Sequence, residues 1–306
     1  MGRTIQLRLC FFAALVSLFS ACTTEKAELG TADNPIKFFF VPSVDAMTLE
    51  DTGRIVQAYL EENTPYKYKV SIPASYVAVV EAFGTERADV ASLNTFGYVL
   101  AHEKYKAQAR LTVIRFGEDT YKAQIVALKD GPIKKLEDVD GKKFAYVDPA
   151  STSGYLMPAK LFMDKGIKPA DYMFAKKHDN VITMIYQKQV DAGATFYSPP
   201  EDGKIQDARR LVKTQFPDVE DKVKIVALTD AIPNDPIVFR EGMPEEMKQT
   251  IVDALLKFVK TEQGKDALYK LYGVTDFKVC TDEKYDGVRE MLKALGKSAH
   301  ELVEKK

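Results

Sequence analysis

Apolar and polar positions along this chain follow two periods that take turns. Ile36 to Val41 is an apolar-aromatic run placed directly after Pro35, and it predicts a buried strand. Leu49 to Asn63 sets Ile55, Val56, Tyr59 and Leu60 at helical spacing and predicts an amphipathic helix. Tyr66 to Ile72 alternates as a strand, Tyr76 to Thr85 reads as a helix, and Ala88 to Leu93 as a third strand. Thr95 to Tyr105 is helical, while Leu111 to Arg115 and Ala123 to Lys129 are strands.

A second cycle begins near Gly131. Lys143 to Val147 predicts a strand, and Ser153 to Gly166 a helix closed by its glycine. Tyr172 to Ala175, Ala192 to Thr195 and Val223 to Leu228 are strands, with a helix over Asn180 to Gln187. Ile232 to Arg240 has the pattern of a return crossing. Pro244 to Thr261, Gly264 to Tyr272 and Tyr285 to Gly296 are helices. The rhythm predicts an α/β fold of two lobes in series, each a mixed, mostly parallel sheet flanked by helices. Lobe 1 is expected over 34–127 and 232–306, and lobe 2 over 128–231, with two crossover strands as hinge. Ligands of open α/β sheets bind beyond the carboxyl ends of the strands. The loops after Val41, Leu93, Val147, Ala175 and Thr195 are therefore the places to search.

The first residues add a compartment. Arg3 and Arg8 precede the apolar run Cys10 to Phe19, and Ser20 and Ala21 lead into Cys22. This is the layout of a secretory signal, with an apolar core well below the roughly 20 residues that span a bilayer. The cysteine after small residues resembles a lipobox, with Phe19 where that pattern usually has Leu. Residues 1–21 are then a lipoprotein signal peptide, Cys22 the lipidated residue, and 22–33 a polar tether. Of three cysteines only Cys280 would remain unmodified, so the mature chain has no internal disulfide. Forty-three basic against 44 acidic residues leave a net charge of −1 and no basic field for nucleic acid. Any anion site must be local.

The strongest local signal is Asp148-Pro149-Ala150-Ser151-Thr152-Ser153-Gly154-Tyr155, between a strand and a helix. A helix start leaves backbone N–H groups unpaired and carries about half a positive charge. Hydroxyls of Ser151, Thr152 and Ser153 add donors, and Gly154 removes a side chain beside an approaching ligand, which makes a nest for a tetrahedral oxyanion. A simple helix cap explains one hydroxyl equally well but does not require three. The loop is no P-loop, since no Gly-Lys-Ser/Thr follows. Asn94 with Thr95, Tyr76, His178 and Tyr197 also follow strands and are further candidates, each open to a plain structural reading. No Gly-x-Ser-x-Gly elbow or His/Cys metal spacing appears, so no catalytic set, metal or cofactor is expected.

The run from Asp148 to Pro158 resembles the signature of phosphate/phosphite/phosphonate substrate-binding proteins of ABC transporters. Similar stretches are Gln187-Lys188-Gln189-Val190-Asp191-Ala192, Ile232 to Arg240, and Arg87-Ala88-Asp89-Val90-Ala91. The resemblance implies a type II periplasmic-binding-protein fold that closes like a hinge, a small oxyanion ligand, and permease subunits as partners. It also implies a monomer in the periplasm or at the cell surface, held to a membrane by lipid. Carried over by position, Ser151, Thr152 and Ser153 are phosphoryl-oxygen donors, Tyr76 a donor from lobe 1, His178 a ligand-lining histidine and Asp235 a cleft aspartate. Pro199 stands where relatives that bind aminoalkyl phosphonates carry a glutamate. That departure points to phosphite, phosphate or methylphosphonate, with Asp235 free to accept a ligand proton. Other ligands on the same fold (a thiamine phosphate or a sulfonate), a ligand sensor for a signalling receptor, and a phosphate-ester enzyme stand as alternatives.

Overall fold

The computed structural model describes residues 27–294; the signal segment, Cys22 and the last twelve residues lie outside them. In chain order the elements are β1 (Ile36–Phe40), α1 (Ala46–Asn63), β2 (Tyr68–Ser71), α2 (Tyr76–Gly84), β3 (Val90–Ser92), α3 (Thr95–Tyr105), β4 (Gln108–Arg115), β5 (Thr120–Leu128), β6 (Lys143–Tyr146), α4 (Met157–Lys165), β7 (Asp171–Phe174), α5 (His178–Tyr186), β8 (Ala192–Tyr197), α6 (Val219–Lys222), β9 (Val223–Pro233), β10 (Pro236–Phe239), α7 (Glu245–Phe258), α8 (Glu262–Tyr272), β11 (Val274–Val279) and α9 (Asp286–Ala294).

They build two sheets. The first has the order β11-β4-β10-β3-β1-β2, the second β7-β6-β8-β5-β9. The period-2 alternation of the strands feeds two helical layers. In β1, Ile36, Phe38 and Phe40 face a core shared with Leu49, Val56 and Leu60 of α1 and Ile251, Leu255 and Phe258 of α7. The intervening Phe39 packs against the opposite core, where Val79, Val80 and Phe83 of α2 meet Phe96 and Val99 of α3. In the second sheet Phe144 and Ala192 face Phe162 of α4, while Ala145 turns to Val181, Ile182 and Ile185 of α5.

Each sheet is less parallel than the alternating rhythm suggests. Four pairings are parallel, β1 with β2 and β3, and β6 with β7 and β8. Five are antiparallel, all of them involving β4, β5, β9, β10 or β11. The strands that carry the chain between lobes must run out and back, which a uniformly parallel sheet does not permit. The expected lobe boundaries shift for the same reason. β5 pairs with β8 and β9 along its length, so the chain leaves the first sheet after Arg115, not after residue 127, and returns between Pro233 and Pro236.

The two crossings are tied to each other. The outgoing one turns through Phe116 and Gly117, at φ +50° and +79°. The returning one is Asn234-Asp235, where Asn234 donates its backbone N–H to Asp119 O at 3.0 Å and its side-chain amide to Glu118 O at 2.8 Å.

Candidate ligand-binding site

The carboxyl ends of β1, β3 and β8, the loop after β6 and both crossings converge on one cavity between the sheets. Its volume is about 40 Å³, on a measure where one water needs roughly 10–15 Å³. It is therefore a space for a few heavy atoms.

Seven of the nominated residues line it: Ser151, Thr152, Ser153, Tyr76, Asn94, His178 and Asp235. The hydroxyl-rich loop opens in one wide helical turn over Thr152–Leu156, which runs on into α4. Ser151 accepts the N–H of Gly154 at 3.1 Å and keeps its own proton to donate. Gly154 serves packing, contrary to the expected clearance for a ligand. A Cβ there would lie 2.4 Å from Val147, the residue after β6, and 2.8 Å from Ser151 Oγ.

Thr152 bridges the lobes. Its Oγ1 accepts the backbone N–H of Phe96 at 2.8 Å and the amide of Asn94 at 3.0 Å, and that amide also reaches Ala150 O at 2.8 Å. With two lone pairs engaged, the remaining capacity of Thr152 is as a donor. The lobes touch elsewhere too: His178 N–H donates to Ser43 O at 3.3 Å, and Tyr269 hydroxyl joins Glu201 and Gln206, each at 3.2 Å.

Two nominated residues fall outside the cavity. Thr95 is buried, but its hydroxyl donates to Pro233 O at 2.6 Å, holding α3 to the crossing. Tyr197 points away because β8 alternates; its neighbours Phe196 and Ser198 are the ones that line the site.

Sequence reasoning also missed residues. Ser43, Tyr121, Tyr272 and, above all, Arg115 line the cavity. Arg115 caps the carboxyl end of β4 and forms an ion pair with Asp235 on the other crossing. Its guanidinium carbon lies 5.3 Å from the Tyr121 ring centre and 5.7 Å from that of Tyr272. No local pattern singles it out, because β4 also carries Gln108, Arg110 and Thr112.

The electrostatics follow from burial. His178, in edge contact with Phe196 at 5.0 Å, is pushed down to about 3 by desolvation, with the Arg115 charge adding to it, so its ring is neutral. Burial raises Tyr76, Tyr121 and Tyr272 and keeps each protonated. Asp148, accepting Ala150 N–H at 2.9 Å, is raised by burial as well.

Ten buried side-chain polar atoms among the described residues lack a hydrogen-bond partner, and six belong to this cavity: Ser43 Oγ, Tyr76 Oη, Asn94 Oδ1, Arg115 Nε, His178 Nδ1 and Asp235 Oδ1. Buried polar groups are ordinarily paired, so this concentration marks a place prepared for a polar solute. Among the described residues no three His, Cys, Asp or Glu side chains gather as a metal cluster.

Two lobes on two crossings, closing over a small cavity rich in free donors and acceptors, define a solute-binding protein. The comparisons specify which kind. The family model described as "ABC transporter, phosphonate, periplasmic substrate-binding protein" matches residues 38–285, and the chain belongs to that family, a family of transport proteins and not of enzymes. The Phosphonates-binding periplasmic protein of Escherichia coli is 24% identical over 287 residues, covering 91% of this chain and 82% of that one. The Phosphate-import protein PhnD of Mycolicibacterium smegmatis is 26% identical, covering 93% and 94%. The solved structure of PhnD1 from Prochlorococcus marinus in complex with methylphosphonate shares the fold with a TM-score of 0.73, at 18% identity and coverage of 86% and 98%. The fold is that of a type II periplasmic binding protein, and family membership implies an extracytoplasmic location.

Proposed function

We propose that this protein is a lipid-anchored, monomeric binding protein that takes a small phosphorus oxyanion into the interlobe cavity and delivers it to the permease of an ABC transporter. The observation that carries the reading is the set of unpartnered polar groups meeting the Ser151–Ser153 hydroxyls around about 40 Å³ of space. Ser151, Thr152 and Ser153 donate from lobe 2, and Tyr76 donates from lobe 1. His178, Asn94 and the Arg115–Asp235 pair complete the shell. Closure follows because the solute binds both lobes at once, so its affinity for the closed form exceeds that for the open one.

Cavity size favours phosphite, phosphate or methylphosphonate over a ring-bearing phosphate. One feature disfavours an aminoalkyl chain: Pro199, exposed next to the cavity-lining Ser198, offers no carboxylate to an amine. Relatives named for phosphonate and for phosphate import agree with this range. The anchor rests on Cys22 and the apolar run before it.

A thermal-shift panel on the chain from Thr23 onward tests the ligand. Phosphate, phosphite, methylphosphonate, aminoethylphosphonate, thiamine phosphate and sulfate are compared. A true ligand at 100 times its Kd adds about 2.7 kcal/mol of stability. Replacing Ser151, Thr152 and Ser153 by Ala removes that gain; a shift that survives the triple change refutes the site. In cells, Cys22→Ala moves the protein from the membrane to the soluble fraction if the anchor is real.

A further inference from the structure

Of the buried polar atoms without a partner, Arg210 Nε is the only cationic one outside the cavity. Among the described residues no carboxylate pairs with this guanidinium. Asp207 gives its two oxygens to Arg209, at 3.0 and 2.8 Å, and Glu201 accepts the Tyr269 hydroxyl at 3.2 Å. Burial disfavours the Arg210 charge and Arg115 adds to that, while Tyr269 and Asp207 are the groups that act the other way. Tyr269 is itself held protonated by burial, so it brings no charge. A half-buried cation in this setting is incomplete without an anion.

Arg210 lies in the seam between the lobes. Leu211 beside it packs against the lobe 1 core, and Gln206 on the same segment donates to the Tyr269 hydroxyl of α8 at 3.2 Å. Tyr269 is three residues from Tyr272 on α8, and Tyr272 lines the cavity, as Ser198 does from the other lobe. That spacing is a rise of about 5 Å along the helix. Resting on the oxyanion reading above, we propose that Arg210 forms a second anion subsite, so that the preferred ligand is a phosphonate with a carboxylate one or two carbons from phosphorus. The head group occupies the cavity against the Ser151–Ser153 hydroxyls. The carboxylate extends along α8 and takes two parallel N–H groups of Arg210, the arrangement in which a planar guanidinium holds a carboxylate best. A methyl group in place of that carboxylate leaves Arg210 unpaired, and an ammonium faces it with a like charge.

The test is calorimetric titration with methylphosphonate, phosphonoacetate and β-phosphonopropionate at one pH and ionic strength. At least one of the two carboxylates binds the intact protein about tenfold or more tighter than methylphosphonate, the gain of one hydrogen-bonded charge pair. Arg210→Gln keeps the length of the side chain's polar end but not its charge, and it narrows that ratio to within about threefold by weakening the carboxylate ligand. A smaller advantage than tenfold for both carboxylates on the intact protein overturns the proposal, and so does an unchanged ratio in a folded Arg210→Gln. If the intact protein binds none of the three, nor phosphate or phosphite, the oxyanion reading itself falls, an outcome distinct from binding without preference for a carboxylate.

Discussion

Thr152 on one lobe accepts the backbone N–H of Phe96 on the other, at 2.8 Å. The same oxygen holds Asn94, so a single hydroxyl joins the two lobes directly over the cavity. Thr152→Val keeps the shape and removes the acceptor. In the closed form it leaves the Phe96 N–H buried and unpaired, which costs about 1–3 kcal/mol. Ligand affinity is expected to fall by roughly 5- to 150-fold, and solution scattering at saturating ligand should show a shortfall in closure. Thr152→Ser, which retains the oxygen, should bind within a fewfold of the original.

Tyr76 separates binding from stability. Its hydroxyl is buried without a partner, so Tyr76→Phe removes a desolvated polar group from the unliganded fold. The unfolding midpoint should stay level or rise, while affinity for the oxyanion drops by roughly tenfold for a lost bond to a charged group. Equal loss of stability and affinity would count against a ligand role.

His178 makes stability depend on pH. Its folded pKa lies near 3, below the unfolded 6.5. Between those values the unfolded chain binds the extra proton, so stability falls as pH drops below about 6.5 and stops falling on this account near the folded value. Within the window the slope from this one group approaches 1.4 kcal/mol per pH unit. Urea titrations of the wild type and His178→Gln across mild acid should show a shallower slope in the variant.

Gly154→Ala forces a methyl group against Val147. Overpacking of this kind costs about 1–3 kcal/mol. The urea midpoint should fall with an unchanged m-value, and affinity should fall with it, because relief of the clash moves Ser151 and Thr152.

The two-lobed α/β plan was legible because most strands and helices announce themselves by period. Val274–Val279 was not, since Thr275, Asp276 and Lys278 break the apolar run of an edge strand, and overlooking it hid much of the antiparallel character of the first sheet. The hydroxyl loop, Tyr76, His178 and Asp235 were readable as residues that follow strands or carry a family motif. Tyr197 failed because a site beyond a strand end depends on which face each residue takes, and one position inverts the answer. Thr95 failed because a buried hydroxyl can be satisfied by backbone, here Pro233 O. Arg115, Tyr121 and Tyr272 meet only through the crossings and the return of the chain, a relationship that no local pattern encodes.

The six unpartnered atoms of the cavity also act on the protein when no solute is present. Lobes that shut on nothing strand those groups or trap ordered water, and both are less favourable than leaving them in bulk solvent. Closure is then most favourable around a cargo that satisfies the donors and acceptors together. On the proposed transport role, a permease that recognises shut lobes would then meet few that carry no cargo, with fidelity built into the same atoms that do the binding.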